Sequence, residues 1–250
     1  MIANRGADYE NESRRLKNFA NLYASAPERI QTKTYVMPIA ANLGLNEAET
    51  KHLYEQVAST FSLLTPMGGH DADPELYGEE NRKSLNVVPS RDKFEIGLIK
   101  TYAEKSKGFI FAICRGHQMT SIALGYKLLQ DLPTEAPSDV NHSHGSHGIS
   151  LKNTAYGFLK WATGGKMSVE VNTLHHQAVL YTPGGPAQPA AYGPDGIVEG
   201  LEFKNGRGLT LQFHPELMDN ALGRSIMHSV VRAKNRTIKR ECRALFSPAA

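Results

Sequence analysis

Cysteine is scarce: the 250 residues contain two, Cys114 and Cys242, beside a single tryptophan. Two thiols cannot build a disulfide framework, and their number suits a reducing compartment in which a lone thiol is free to act as a nucleophile. Long apolar runs are also missing. No stretch reaches the length of a membrane-spanning helix. The first thirty residues, with Arg5, Asp8, Glu10, Glu12, Arg14, Arg15 and Lys17, do not read as a secretory leader. The expectation is therefore a cytoplasmic chain with no membrane partner. An excess of one charge sign is lacking too: 28 Lys and Arg against 25 Asp and Glu leave a formal net charge of +3. So small an excess argues against a nucleic-acid binder, which would carry a clustered basic face, and leaves acidic small molecules open as ligands. What remains, 40% hydrophobic and 21% charged, is the composition of a folded globular protein. A chain of this length buries roughly 75% of its unfolded-state surface in one large domain or two small ones.

The apolar pattern alternates between the periods of strand and helix. Residues 1–30 have Leu16, Phe19 and Tyr23 at helical spacing and are expected to form an N-terminal helical extension, with 31–250 as the main domain. Thr34 to Ile39 reads as a strand. Asn46 followed by Glu49 is a helix N-cap signature, and Leu53 and Val57 continue it as a helix over about 47–59. Phe61 to Pro66 is a short buried strand opening into a Gly68-Gly69 loop. Phe94, Leu98 and Tyr102 lie on a second helix, and Phe109 to Ile113 (FIFAI) forms a second buried strand. This order predicts an α/β fold with a mostly parallel central sheet covered by helices on both faces, its ligands beyond the carboxyl ends of the strands. Shorter strand-like pieces around Ile149, Val169 and Ile197 predict a small antiparallel addition. Leu209 to Phe213 returns to strand character, and a helix is expected over about 220–234.

Chemistry concentrates where these strands end. In FIFAICRGHQM the strand stops at Cys114 and turns into a helix through Gly116, which sets the thiol at a helix N-terminus where dipole and free N–H groups favour thiolate. The pattern resembles a nucleophile elbow; a buried structural cysteine is the competing reading. Cys242 sits among Lys239, Arg240, Glu241 and Arg243 and reads as an exposed, non-catalytic thiol. In LQFHPE an extended course would project His214 and Glu216 to the same side, so that the carboxylate orients an imidazole serving the thiol. An ordinary loop entry with a surface ion pair is the alternative.

The segments MGGHDADPELYGE, ICRGHQM with ALGYKLLQDLP, VNTLHHQAV, GIVEGLE and QFHPE, in that order, resemble the class I glutamine amidotransferase-like family, and within it the γ-glutamyl-γ-aminobutyrate hydrolase branch, peptidase family C26. The resemblance covers about residues 34–230. It implies a flavodoxin-like core and hydrolysis of a γ-glutamyl amide without a cofactor or metal. Carried over, it makes Cys114 the nucleophile, His214 the general base and Glu216 the acid that orients it. Gly69 and Arg115 become the oxyanion-hole backbone donors, and Gln118 a substrate-binding amide. His175 and His176 fall near the substrate, with an ordering role for their loop equally open. The chain departs from the family in Ala112, where glycine is common, and in Gly125-Tyr126-Lys127, where Gly-Gly-Thr is common. Tyr126 and Lys127 are thus candidates for shaping the leaving-amine side.

Three other features have plainer readings. His142, His144 and His147 in NHSHGSH invite a metal, but the stretch shows no partner set with clear ligand spacing, so a loop role is favoured. Asp71 and Asp73 suffice as turn caps. The basic run from Arg232 to Arg243 reads as a solvated helix face. Two functions compete with a γ-glutamyl hydrolase acting on a small molecule: a glutaminase that passes ammonia to a separate synthetase, and a binding protein that keeps the fold alone. The oligomeric state stays open, a homodimer included.

Overall fold

The computed structural model describes residues 44–246, with side chains as far as Ala233, and Asn21 before them. The expected extension over 1–30 and strand over 34–39 lie, Asn21 apart, outside the described residues. Helix α1 (Glu47–Thr60) begins on the anticipated cap. The Asn46 side chain accepts from the Glu49 N–H at 3.0 Å, and the Glu49 carboxylate accepts from the Asn46 N–H at 2.8 Å. A reciprocal cap of this kind satisfies two of the donors that a helix start leaves orphaned.

Strand β1 (Leu63–Leu64) leads to a 3₁₀ turn (Pro74–Tyr77) and helix α2 (Pro89–Lys105), then to β2 (Phe109–Ile113) and α3 (Arg115–Ala123). Next come β3 (Lys127–Leu129), the short α4 (Leu132–Glu135), β4 (Ser146–Leu151), α5 (Phe158–Ala162), β5 (Ser168–Asn172) and β6 (Ala178–Leu180). Strands β7 (Ala187–Tyr192), β8 (Val198–Phe203) and β9 (Gly208–Leu211) precede a last helix, α6 (Ala221–Phe246), which runs well past the expected end. Seven strands form one sheet in the order β1-β2-β9-β8-β7-β4-β5, and β3 pairs with β6 in a second. The parallel core is β1, β2 and β9. Four antiparallel strands extend it, because tight turns at 193–197 and 204–207 return the chain directly from β7 to β8 to β9. The antiparallel addition is therefore wider than the expected small one.

Strand β2 is buried along its whole length. Its side chains alternate between two cores: Phe109, Phe111 and Ile113 pack with α5 and α6, whereas Ile110 and Ala112 pack with α1, α2 and α3. Each large apolar side chain removed from water here contributes roughly 1.5–3 kcal/mol, so this strand anchors both faces. The parallel register sets Ile113 beside Leu211 and brings the carboxyl ends of β1, β2 and β9 together. Gly68, Cys114 and His214 all lie just past those ends.

Gly116 makes the start of α3 possible. A Cβ at this position would stand 2.1 Å from the Pro66 carbonyl oxygen, which is backbone and cannot yield. That carbonyl also accepts from the Ile113 N–H at 3.0 Å. Gly116→Ala should therefore destabilise the protein by about 3 kcal/mol, measured as a lower urea midpoint at unchanged m-value; an unmoved midpoint would show that the β1–α3 contact does not bear on stability.

Candidate active site

Cys114 adopts φ 54° and ψ −116°, one of two non-glycine residues with positive φ among those described. Such a backbone costs about 1–3 kcal/mol and persists only where its surroundings impose it. They do so on both sides: the Cys114 N–H donates to the Leu211 carbonyl at 2.8 Å, and its carbonyl accepts from the Gln118 N–H at 3.1 Å. The strand-to-helix elbow expected from FIFAICRG is thus present. Its sulfur is buried, 4.0 Å from the Leu174 carbonyl oxygen. Because Cys114 caps α3, the first N–H groups of that helix have no partner within it.

His214 and Glu216 meet as anticipated, but by another route. Pro215–Leu217 is a 3₁₀ turn rather than an extended stretch, started by Pro215, whose fixed φ suits a helical first position. The turn brings Glu216 Oε1 to 2.7 Å from His214 Nδ1, with both side chains buried. Asn172, at the end of β5, holds the same histidine by its backbone. Its amide donates to the His214 carbonyl and accepts from the His214 N–H, each at 2.9 Å. Nothing in the local sequence pattern around Asn172 distinguishes it from a strand terminator. Burial opposes charge on His214, but the adjacent Cys114 thiol, to which it is hydrogen-bonded, and the Glu216 carboxylate outweigh it and raise its pKa to about 10.

The loop after β1 closes the site. A Cβ on Gly68 would come within 3.2 Å of His214 Cε1 and 3.8 Å of Cys114 Sγ, so the backbone at 68 lies against the pair. At Gly69 a Cβ would instead strike the Arg91 guanidinium at 2.7 Å. Arg91 pairs with Glu95 at 2.7 Å, and the fully buried Arg115 side chain turns away from the thiol to bind both Glu95 and Asp92. Asp92 in turn accepts from the Asp73 N–H at 2.8 Å. This buried network, which the sequence reading did not identify, ties the glycine loop, α2 and α3 into one frame. Arg115 therefore presents only its backbone to the site. Asp73 caps the 3₁₀ turn as expected, whereas Asp71 is no turn cap: it accepts from the Leu85 N–H, fourteen residues on, and pairs with His176.

The residues expected near the substrate separate into groups. Gln118 is buried, and its amide donates to the Gln177 carbonyl and the Gln212 side chain, both at 3.2 Å. His176 stands between Asp71 (2.9 Å) and Asp131 (3.4 Å), and with His175 it lines a cavity of about 280 Å³ that includes neither Cys114 nor His214 in its wall. The turn carrying both histidines begins at Leu174, whose carbonyl faces the thiol. His175 points its ring into a buried cluster with His142, His147 and Glu199. Here the sequence reading needs correction: the partner set that NHSHGSH lacks locally is supplied by the fold, and His144 stays outside it, exposed beside Asn141. Tyr126 is a core residue whose hydroxyl donates to the Ala187 carbonyl at 3.1 Å, and Lys127 is half-exposed and paired with Glu79. Neither lines the cavity.

A thiol at a positive-φ elbow and a histidine–carboxylate pair thus meet past the carboxyl ends of the parallel strands of an α/β sheet. The model of the Peptidase C26 family matches residues 9–216, and the chain belongs to that family. It is 37% identical over 158 residues to the glutamine amidotransferase-like protein YvdE of Lactococcus lactis subsp. lactis (strain IL1403), a match covering 60% of this chain and 63% of YvdE. The chain thus spans less than two thirds of that relative's length. It is also 30% identical over 193 residues to the gamma-glutamyl-gamma-aminobutyrate hydrolase PuuD of Escherichia coli (strain K12), covering 72% of each. Among solved structures, the glutaminase domain of Trypanosoma brucei CTPS, with bound acivicin, superposes with a TM-score of 0.64 at 13% identity, over 94% of this chain and 92% of that one, and shows the shared fold. Among the described residues no helix is long and apolar enough to cross a membrane.

The raised pKa of His214 has a consequence for stability. A folded-state value lifted from 6.5 to about 10 stabilises the protein in full below about pH 6.5, and that contribution is lost as the pH rises through about 10. The stability difference between wild type and His214→Gln should accordingly shrink across this window in urea melts. A difference that stays constant there would mean that His214 carries no such shift.

Proposed function

We propose that the protein hydrolyses γ-glutamyl amides through a glutamyl thioester on Cys114. The observation that carries this reading is the elbow: a buried thiol at φ 54° facing His214, with Glu216 2.7 Å behind the imidazole. His214 takes the proton of Sγ, and the resulting thiolate attacks the γ-carbonyl carbon, forming a C–S bond as the carbonyl π pair moves to oxygen to give an oxyanion. The backbone N–H groups of Arg115 and Gly69 are the proposed donors to that oxyanion, since preorganised backbone donors stabilise developing charge without reorganising. His214 gives its proton to the amine nitrogen as the C–N bond breaks, and the amine departs. The same imidazole then takes a proton from water, whose oxygen attacks the thioester; the C–S bond breaks and glutamate leaves. Glu216 holds the ring's orientation without exchanging a proton. Every group in this cycle belongs to the chain or to water, and a thiolate mechanism suits the reducing interior of a cell.

On the glutamyl side, the Gln118 carbonyl and the backbone near Gly69 recognise the polar end, and His176, which lines the cavity, reads the leaving amine. The likeness to PuuD favours a leaving group such as γ-aminobutyrate. The likeness to YvdE and to a glutaminase domain supports a second reading, in which glutamine is hydrolysed and ammonia passes to a partner synthetase. An assay of products from γ-glutamyl-γ-aminobutyrate, other γ-glutamyl amines and glutamine separates the two. Turnover of γ-glutamyl amines well above glutamine supports the first; turnover of glutamine alone overturns it.

Cys114→Ala should lower kcat/KM by a factor on the order of 10⁴ or more, and His214→Ala nearly as much. Glu216→Gln should lose less than His214→Ala, because it orients rather than transfers. A glutamine-mimicking electrophile, followed by peptide mass spectrometry, should modify Cys114 and leave Cys242 untouched. Equal labelling of the two thiols, or an active Cys114→Ala enzyme, would contradict the assignment. Asn172→Ala strands the His214 N–H and leaves the His214 carbonyl with the Leu217 N–H as its remaining donor; it should reduce kcat at nearly unchanged KM, which wild-type kinetics from Asn172→Ala would refute.

A further inference from the structure

We infer that His142, His147, His175 and Glu199 form a closed, structural binding site for a divalent transition metal, zinc by preference. This goes beyond the proposed hydrolysis and does not rest on it. The four side chains come from distant parts of the chain: the loop before β4, β4 itself, the turn after β5, and β8. Each is more than nine-tenths buried. One ligand atom from each falls within 4.8 Å of every other.

The atoms that face inward are those left without hydrogen-bond partners. His142 Nδ1, His147 Nε2, His175 Nε2 and both Glu199 oxygens are buried and unsatisfied. Leaving such groups orphaned costs about 1–3 kcal/mol apiece, and natural structures seldom gather five of them around one point without something to bind.

The outward nitrogens explain the arrangement. His142 Nε2 lies 2.9 Å from Asp195 Oδ2, His147 Nδ1 lies 3.2 Å from the Gly148 carbonyl, and His175 Nδ1 lies 2.9 Å from the Gln177 carbonyl. Each of those nitrogens donates a proton to its acceptor. In the neutral ring each inward nitrogen then carries the lone pair, which is how metal-ligating histidines are oriented by an outer carboxylate or carbonyl. Glu199 supplies the anionic fourth ligand.

The three distances to Glu199 have the length of tetrahedron edges, whereas the separations within the group reach 4.8 Å, so the imidazoles would draw together on an ion. The inward nitrogens of His142, His147 and His175 stand 3.3, 3.4 and 3.5 Å from Glu199 Oε1. These exceed the 2.7–2.9 Å of a charge-assisted hydrogen bond. A tetrahedron with metal–ligand bonds of about 2.0–2.1 Å has edges of about 3.3 Å. Four protein ligands leave no open position, so the ion would be structural. Its place is also informative. The His175 and Thr173 N–H and hydroxyl groups already stitch the turn to the 142–145 loop. Metal would lock together the turn carrying Leu174 against the thiol and the loop lining the cavity.

The test is to strip wild-type protein with chelator, reconstitute it with Zn²⁺ or Co²⁺, and remove excess ion by gel filtration. Retention of one zinc per chain by mass spectrometry of the elements, a Tm at least about 5 °C above that of the stripped protein, and the intense visible bands of tetrahedral Co²⁺ are expected. Glu199→Gln and His147→Gln should retain less than about one-tenth of an ion per chain, whereas His144→Gln, from the same histidine-rich stretch, should bind like wild type. Wild-type protein that holds no ion and whose Tm ignores both zinc and chelator would overturn the site, whatever the folding of the variants. Stoichiometric metal in both Glu199→Gln and His147→Gln, or its loss in His144→Gln, would overturn it equally.

Discussion

The positive φ of Cys114 is the constraint from which the rest of the site follows. A residue forced into that conformation must be held on both sides, and the holders are themselves the neighbouring elements: Leu211 from β9 on the N–H, α3 on the carbonyl, and Pro66 pressed against Gly116. The strain is local, whereas the restraint draws on the parallel core. The buried ion network works to the same end. Arg115 is shared by Asp92 and Glu95, and Arg91 reaches the glycine loop. Buried pairs of this kind add little net stability compared with apolar packing, but losing one partner costs about 3–5 kcal/mol. They hold α2, α3 and the loop after β1 in one relative placement.

The histidine is held from the opposite end of the sheet. In strand order β5 lies last, four strands beyond β9, and yet Asn172 at its end grips the backbone of His214. Only a sheet that curls can bring its outermost antiparallel strand back over the carboxyl end of its parallel core. The antiparallel half therefore builds the second wall of the site. It also carries the turn from Leu174 to Gln177, which connects the thiol, the cavity and the histidine cluster.

This division explains what the sequence made legible. Elements whose signal is local could be read directly: the Asn46 cap, FIFAI as a doubly buried strand, and Cys114 at its end. So could the pairing of His214 with Glu216, two residues apart, although their path is a 3₁₀ turn that alternation does not describe. Features that depend on strand order were out of reach. Asn172, the Arg91–Glu95–Arg115–Asp92 network and the convergence of His147 with His175 all join segments whose proximity no periodicity encodes. Reading NHSHGSH as an isolated stretch included His144 and omitted Glu199, because local spacing cannot show which side chains the sheet turns inward.

One signal was nevertheless present in the sequence of β8. Val-Glu-Gly-Leu-Glu-Phe places two glutamates in a strand buried at every position, and a carboxylate in such a setting must find donors or cations. The two find different ones. Glu202 accepts from the Leu159 N–H at 3.0 Å and from the Thr154 hydroxyl at 2.5 Å, at the start of α5. Burial still pushes its pKa up, against the pull of those donors. Glu199, three positions earlier on the same strand, has no such backbone or hydroxyl donor: both its oxygens are buried without a hydrogen-bond partner, and Oε1 faces His142, His147 and His175 at 3.3, 3.4 and 3.5 Å. A buried anion ringed by inward-facing imidazole nitrogens, with no N–H donor of the kind that satisfies Glu202, is an environment arranged for positive charge.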